Sequence, residues 1–417
     1  MRTLLIWPHA WFSSRIYDFV APPEARGPLT WQSASTDFLP PFVLLYLTAY
    51  LVQTPGTLPI RLTLLPISLW SFFRAATYID VVYGLKYREG LVYWNMGLVI
   101  TMMVGAARCI AWSYQRTPYK RLYRIPGKTI QKENHDNRLW DALDLVANLR
   151  GHGWSWSRGL QVPVETRPTH SRGAFLITTL VNFIKYIVIA DHIHYAIQWF
   201  GPTTLGSPYG GSIHHPTLPP IQNFLRSTVI SFLGGLLVYT SITTVYEAFT
   251  LIGVGIFNQH PLQWPPMFDA PWMATSLTEF WARRWHQLFR DIFISVGGKP
   301  LSMLIGRIGN VMGTFIASGF LHDFGLWGMG RGTEFPTVGG YFLIQGVGVI
   351  LEHTWKHFTG SRVGGVLGRI WTLSWVVIWG QLIVDAWCRK GLAASIFHSD
   401  QYRPSYLTLG PLPLPSY

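Results

Sequence analysis

His286 and His322 are the residues of this chain best suited to chemistry. His286 closes the run Ser276-Leu-Thr-Glu-Phe-Trp-Ala-Arg-Arg-Trp-His286, which continues through Gln-Leu-Phe to Arg290. His322 lies in Ser318-Gly-Phe-Leu-His-Asp-Phe-Gly325, inside or near the end of an apolar stretch. An ionisable group at membrane depth is costly, which marks it as a functional-site candidate. An imidazole kept neutral by burial can take the proton of an alcohol as its oxygen attacks a thioester. Arg283, Arg284 and Arg290 suit phosphate groups by charge and by fork geometry. His286 can hydrogen-bond an acyl carbonyl or hold the reacting centre in place. Each has a plainer alternative. His322 can be a packing histidine bonded to a neighbouring carbonyl, and the arginine run can be an amphipathic helix on lipid headgroups. Asp323 either orients a partner group or caps a helix end.

The elements that must position these residues follow from the pattern around them. Ser276 stands three before Glu279, a capping box, so the spacing predicts a helix over 276–290. Phe280, Trp281, Trp285 and Phe289 give it an aromatic face, and Glu279, Arg283 and His286 fall on one side. Asn258–Thr275, spaced by Pro261, Pro265, Pro266 and Pro271, delivers the chain to that helix. Apolar segments flank it, and eight are long enough to consider as spans: Phe38–Gln53, Leu58–Phe73, Leu91–Ala107, Gly173–Phe200, Phe224–Phe257, Leu304–Trp327, Val338–Phe358 and Val366–Cys388. Lys299 and Pro300 end the region before the sixth.

Composition agrees. Of 417 residues, 49% are hydrophobic and only 13% charged, with 20 Trp, 24 Phe and 19 Tyr. Soluble proteins carry about 25% charged residues, and Trp and Tyr gather at membrane interfaces. The fold class expected is all-α, a polytopic membrane protein of about eight transmembrane helices. Residues 1–112 form an N-terminal arm and the first spans, 113–172 a basic loop, 173–388 the membrane core and 389–417 a Pro-rich tail. Lys and Arg outnumber Asp and Glu in 113–172, so that loop is expected in the cytosol, and 258–303 with it, two spans later. The net charge of +13 reflects such loops and an acidic ligand rather than nucleic acid. No cleavable signal peptide is apparent.

Several function classes recede. Two cysteines, Cys109 and Cys388, make neither a disulfide framework nor a zinc cluster. A P-loop, a dinucleotide fingerprint and a Gly-x-Ser-x-Gly elbow are missing. His192 with His194, and His353 with His357, resemble pieces of an oxygenase histidine cluster, but no His-x-x-His-His box joins them, and no metal is expected. A transporter would show inverted repeats and paired broken spans.

Pro265-Pro-Met-Phe-Asp-Ala-Pro-Trp272, then Ser276–Arg290, then Gly319-Phe-Leu-His322, together resemble the wax synthase-like branch of the membrane-bound O-acyltransferases. The resemblance is strongest over 220–388. It implies that His322 is the catalytic base and that His286 takes the place of the family's second polar residue, Asn or His by branch. It also implies acyl-CoA as co-substrate, the Arg283, Arg284 and Arg290 helix receiving its phosphates, and a lipophilic alcohol arriving from the bilayer. No covalent intermediate is needed. Within that branch the chain looks closer to fungal acetyltransferases acting on terpenoid or meroterpenoid alcohols in secondary metabolism than to plant wax synthases. That implies acetyl-CoA as donor and a multi-pass protein of the endoplasmic reticulum membrane. The alternatives are a long-chain wax or sterol acyltransferase, a transporter, and a histidine-cluster oxygenase.

Overall fold

The structure, a computed structural model, describes residues 23–125, 128–132, 137–157 and 159–412. The N-terminal arm expected over the first residues falls largely outside that range. Eight long helices account for the described membrane region: α1 (Leu39–Val52), α2 (Leu58–Tyr78), α3 (Tyr93–Ser113), α5 (Arg172–Trp199), α6 (Pro220–Gly255), α7 (Lys299–Gly328), α8 (Phe335–Thr359) and α9 (Gly365–Arg389). A shorter α4 (Arg138–Ala147) and a hairpin of β1 (Arg121–Ile125) with β2 (Lys128–Lys132) sit in the basic loop. Seven of the helical segments are long and apolar enough to cross a membrane. The chain is therefore an all-α polytopic membrane protein.

The eighth segment, α2, is a continuous helix of 21 residues despite Pro66 and Arg61. Arg61 does not face lipid. It is buried and donates to the carbonyls of Trp112 and Gln115 at the end of α3, one of them at 2.7 Å. Those are the orphan carbonyls that any helix terminus leaves. Prolines open α1, α2, α6 and α8 in their first turns, where a missing N–H costs nothing. At 36 residues, α6 is about 54 Å long at about 1.5 Å per residue, well beyond a hydrocarbon core of about 30 Å.

Neighbouring helices run in the order α5, α6, α9, α8, α7, α3, with α1 and α2 packed on α3. Outward faces are apolar: Ile177, Leu180, Val181, Ile184 and Val188 are exposed along α5. Inward faces close three clusters, of which the smallest joins Val104 of α3, Ile292 and Leu321 of α7.

That last contact departs from the expected sixth span. A helical arm begins at Arg290, runs through a π-helical stretch at Ile294–Gly298 into α7, and breaks at Ile305 and Gly306. Gly306 adopts φ 60° and ψ −138°, a conformation open to glycine and strained for other residues. The chain then doubles back as the second part of α7. The two arms are a helical hairpin with almost no space between them. A Cβ on Gly297 would lie 2.1 Å from the Gly313 carbonyl oxygen, and one on Gly309 would lie 2.2 Å from that of Leu301. Lys299 and Pro300 thus do not end a region; they lie within the first arm, where sequence reading placed a boundary.

The basic loop is part of the body. Arg150 donates to the carbonyls of Pro265 (2.7 Å) and Pro266 (2.8 Å) and to the Tyr246 hydroxyl (2.6 Å). Arg167 donates to the Trp264 carbonyl at 2.5 Å and pairs with Glu247 and Glu165. The loop and the proline lead therefore share one face of the molecule. On the opposite face, the tail folds back through Arg403, which pairs with Asp191 at 2.8 Å.

Candidate active site

The motif is not one helix. Ser276 caps Leu277–Glu279 by accepting the Glu279 N–H at 3.0 Å. Its expected partner bond is displaced by one residue: the Glu279 carboxylate accepts from the N–H and hydroxyl of Thr275. Burial alone would raise the Glu279 pKa, but the Thr275 N–H and the Arg284 guanidinium hold it below the usual carboxylate range. A single π-helical turn follows, Phe280–Arg284, and there the helix stops. Trp285 is extended, with ψ 155°. Two interactions explain the stop. The Trp285 ring stacks on Phe280 at 5.3 Å, and the buried Gln287 amide donates to the carbonyls of Trp281 and Trp285. Gln287 thereby satisfies groups that a continuing helix would have paired. Glu279, Arg283 and His286 consequently do not line one helix face, as the spacing had predicted.

The segment also descends into the protein. Its start is tied to Glu352 of α8, which accepts the N–H groups of Leu277 (2.5 Å) and Thr278 (2.9 Å). A carboxylate at a helix N-terminus is the favourable charge for those orphan donors. Trp281 then meets Tyr341 and Phe342, more than two turns along α8 from Glu352. Ile292, just after the motif, packs on Leu321, the neighbour of His322. The run expected on the membrane face is therefore a re-entrant loop that reaches the level of His322.

His322 is half-buried with its ring 4.5 Å from that of Phe342. Its Nδ1 lies 2.7 Å from the Ser318 carbonyl oxygen. A carbonyl only accepts, so Nδ1 carries the proton and Nε2 keeps its lone pair. His286 is half-buried among Phe268, Trp285 and Phe289, and its Nδ1 is buried with no hydrogen-bond partner among the described residues. Burial, with a smaller contribution from His322, lowers the His286 pKa to about 3, so its imidazole is neutral. Rings link the two histidines: Phe342 touches His322 and Trp281, Trp281 touches Trp285, and Trp285 touches His286. The structure thus brings both histidines to one aromatic-lined centre.

The three arginines are dispersed. Arg283 is half-exposed and pairs with Asp269 at 3.0 Å. Arg284 is held inside the motif by Glu279 (2.7 Å) and the Asp269 carbonyl (2.8 Å). Arg290 lies against Gly159, where a Cβ would come within 3.2 Å of its guanidinium. Asp323 is buried and accepts the Glu334 N–H at 2.6 Å, fixing the turn between α7 and α8. The remaining histidines scatter: His353 and His357 are exposed on α8, His192 meets Thr408, and His194 meets the Ala393 carbonyl. Among the described residues no group of three or more His, Cys, Asp or Glu is placed to hold a metal.

Sequence reading passed over Gln287, Gln345 and the role of Glu352. The last two carried a signal, being polar residues inside an apolar span. Gln287 carried none, because its task exists only once the helix breaks.

Residues 264–344 match the family described as membrane bound O-acyl transferase. The stretch runs from the proline lead past His286 and His322 into α8. Among curated proteins, the chain is similar to the acetyltransferase ataH of Aspergillus terreus, 29% identical over 63% of this chain and 89% of the relative. It is 24% identical to the O-Mevalon transferase yanI of Aspergillus niger over 63% of this chain and 64% of the relative. It is also 29% identical to the probable long-chain-alcohol O-fatty-acyltransferase 8 of Arabidopsis thaliana, over 28% of this chain and 38% of that protein.

Proposed function

We propose that this chain, which matches the membrane bound O-acyl transferase family over residues 264–344, is a membrane-embedded acyltransferase that moves an acetyl group from acetyl-CoA to a hydroxyl of a lipophilic terpenoid or meroterpenoid alcohol. The observation that carries the reading is the His322 imidazole, with Nδ1 pinned by Ser318 and Nε2 left to accept. Nε2 takes the hydroxyl proton as the oxygen attacks the thioester carbonyl. The tetrahedral intermediate collapses, expelling the CoA thiolate, which recovers the proton from the imidazolium. His286, neutral and unpaired at Nδ1, supplies an N–H to the developing oxyanion. No enzyme-bound acyl group is involved.

CoA is a polyanion and approaches from the face that carries the basic loop and the proline lead, which we assign to the cytosol. Arg283, half-exposed there, receives its phosphates, with Arg284 and Arg290 adding charge. The alcohol enters laterally from the bilayer, assigned to the endoplasmic reticulum. What supports a short acyl group is the set of rings at the centre, Trp281, Trp285, Phe315 and Phe342. Acyl chain length would otherwise favour longer donors, at about 0.8 kcal/mol for each CH₂ buried.

The similarity to a plant protein named for long-chain alcohols and fatty acyl groups favours a second reading, a long-chain donor at the same histidines. Competition decides between them. Purified protein is given one terpenoid alcohol with equal acetyl-CoA and palmitoyl-CoA. The acetyl ester is expected to predominate. A predominantly palmitoyl product hands the site to the second reading, and no thiol release from either donor removes the acyltransferase mechanism.

A further inference from the structure

We propose that Gln345 is a catalytic residue whose side-chain amide N–H holds the acyl carbonyl oxygen of the donor. The proposal rests on the acyl-transfer reading above and adds a group to its two histidines. Gln345 sits in the middle of α8 with no exposed surface. Its Oε1 accepts the Trp281 indole N–H at 3.3 Å, which fixes the orientation of the amide, since an indole only donates. The nitrogen end therefore points away from Trp281. It is buried and has no hydrogen-bond partner among the described residues. Buried side-chain amides are almost always paired on both ends, so an unpaired donor calls for an explanation.

Its place supplies one. Gln345 is one helical turn from Phe342, on the same face of α8, and the Phe342 ring lies 4.5 Å from that of His322. The next residue, Gly346, lies against Phe315 and Met312 on the facing arm of α7, the arm that carries His322. Gln345 lies between that level and Glu352, toward the end of α8 that anchors the motif. The structure holds a donor there, oriented by Trp281 and stripped of competing acceptors. A carbonyl oxygen is the chemical group that completes it. As the thioester carbonyl becomes an oxyanion, a preorganised N–H in a water-poor site gains strength at the moment of reaction. His286 and Gln345 then form a two-donor cradle built from the re-entrant loop and from α8.

The alternative is that Gln345 only holds Trp281 in place. Two variants and a carbonyl-free ligand separate the possibilities. Gln345→Met matches the volume and removes the amide. Gln345→Glu, assayed at pH 8, keeps an acceptor for Trp281 and removes the N–H donors. In both, kcat with acetyl-CoA is expected to fall about 10²–10³-fold, the usual loss for one oxyanion donor. The inhibition constant of S-ethyl-CoA, which keeps the size and the pantetheine but lacks the thioester carbonyl, is expected to stay within twofold of wild type. Should the longer donor prevail, the matching alkyl thioether replaces it. The proposal is overturned if Gln345→Glu retains kcat within threefold, or if S-ethyl-CoA binding weakens in step with turnover, which would signal a packing role. If the wild-type protein transfers no acyl group from any CoA ester, the parent reading fails first, and this assignment falls with it.

Discussion

At the scale of single residues, the site is defined by which nitrogen is left free. The Ser318 carbonyl accepts the Nδ1–H of His322 and so keeps the proton on Nδ1, which leaves Nε2 with the lone pair a base needs. His322→Ala is expected to lower acyl transfer by about 10²–10⁴-fold, the range for a general acid–base group, while folded protein still accumulates in the membrane. Near-normal kcat at matched expression would make His322 a packing residue. His286 yields a different kind of prediction. Its folded-state pKa of about 3 lies below the value near 6.5 expected when unfolded, so the unfolded chain binds the extra proton. Its contribution to stability is complete above about pH 6.5 and declines as the pH falls toward the folded value. His286→Asn cannot take that proton. Melting in detergent at pH 8 and pH 5 should show wild type losing more Tm on acidification than the Asn variant. An equal loss in both would mean that His286 is solvated and not sealed among its rings.

At the scale of elements, the hairpin of the arm from Arg290 and the second part of α7 determines where His322 stands. Its arms touch backbone to backbone at Gly297 and Gly313. Gly297→Leu must push them apart, and overpacking of this sort costs about 1–3 kcal/mol or more. The expected outcome is a lower Tm and lost activity, whereas Gly235→Leu, with nothing within 4 Å of its Cβ position, should leave both unchanged. Equal behaviour of the two variants would mean that the hairpin opens freely. Much of this architecture was legible in the sequence. All eight apolar segments became helices and the cap at Ser276 holds. The re-entrant course was not legible. Its cause is Gln287 binding carbonyls that periodicity assigns to a continuing helix. Its return at Gly306 is a backbone choice that hydropathy does not register. Charge alone likewise does not register that Arg283 is half-exposed and pairs with Asp269, while Arg284 is bonded inside the motif to Glu279.

At the scale of the whole molecule, the aromatic centre sits between two unlike approaches, a polar face and the surrounding lipid. The assignment of the polar face to the cytosol can be measured directly. Cys109 and Cys388 are both buried and give little background. A cysteine replacing exposed Thr117 should be labelled in sealed vesicles by an impermeant reagent from the cytosolic side only, and one replacing exposed Thr203 from the other side only. The opposite pattern would invert the chain and move the donor's approach to the lumen.

The grip of Arg150 and Arg167 on Trp264, Pro265 and Pro266 also has a meaning in time. Arg150 precedes Pro265 by 115 residues and Arg167 precedes Trp264 by 97, with α5 and α6 threaded between them. A ribosome making this protein finishes the basic loop long before the carbonyls it will grasp exist. Until then the guanidinium groups lack those acceptors. The newborn lead docks only after a complete out-and-back excursion through the bilayer has brought it to the waiting loop. A mis-threaded helix pair would deliver Trp264 to the wrong side and leave both cations without those carbonyls. The clamp therefore closes only on a correctly inserted chain, and it adds to the hold that Glu352 has on the re-entrant loop.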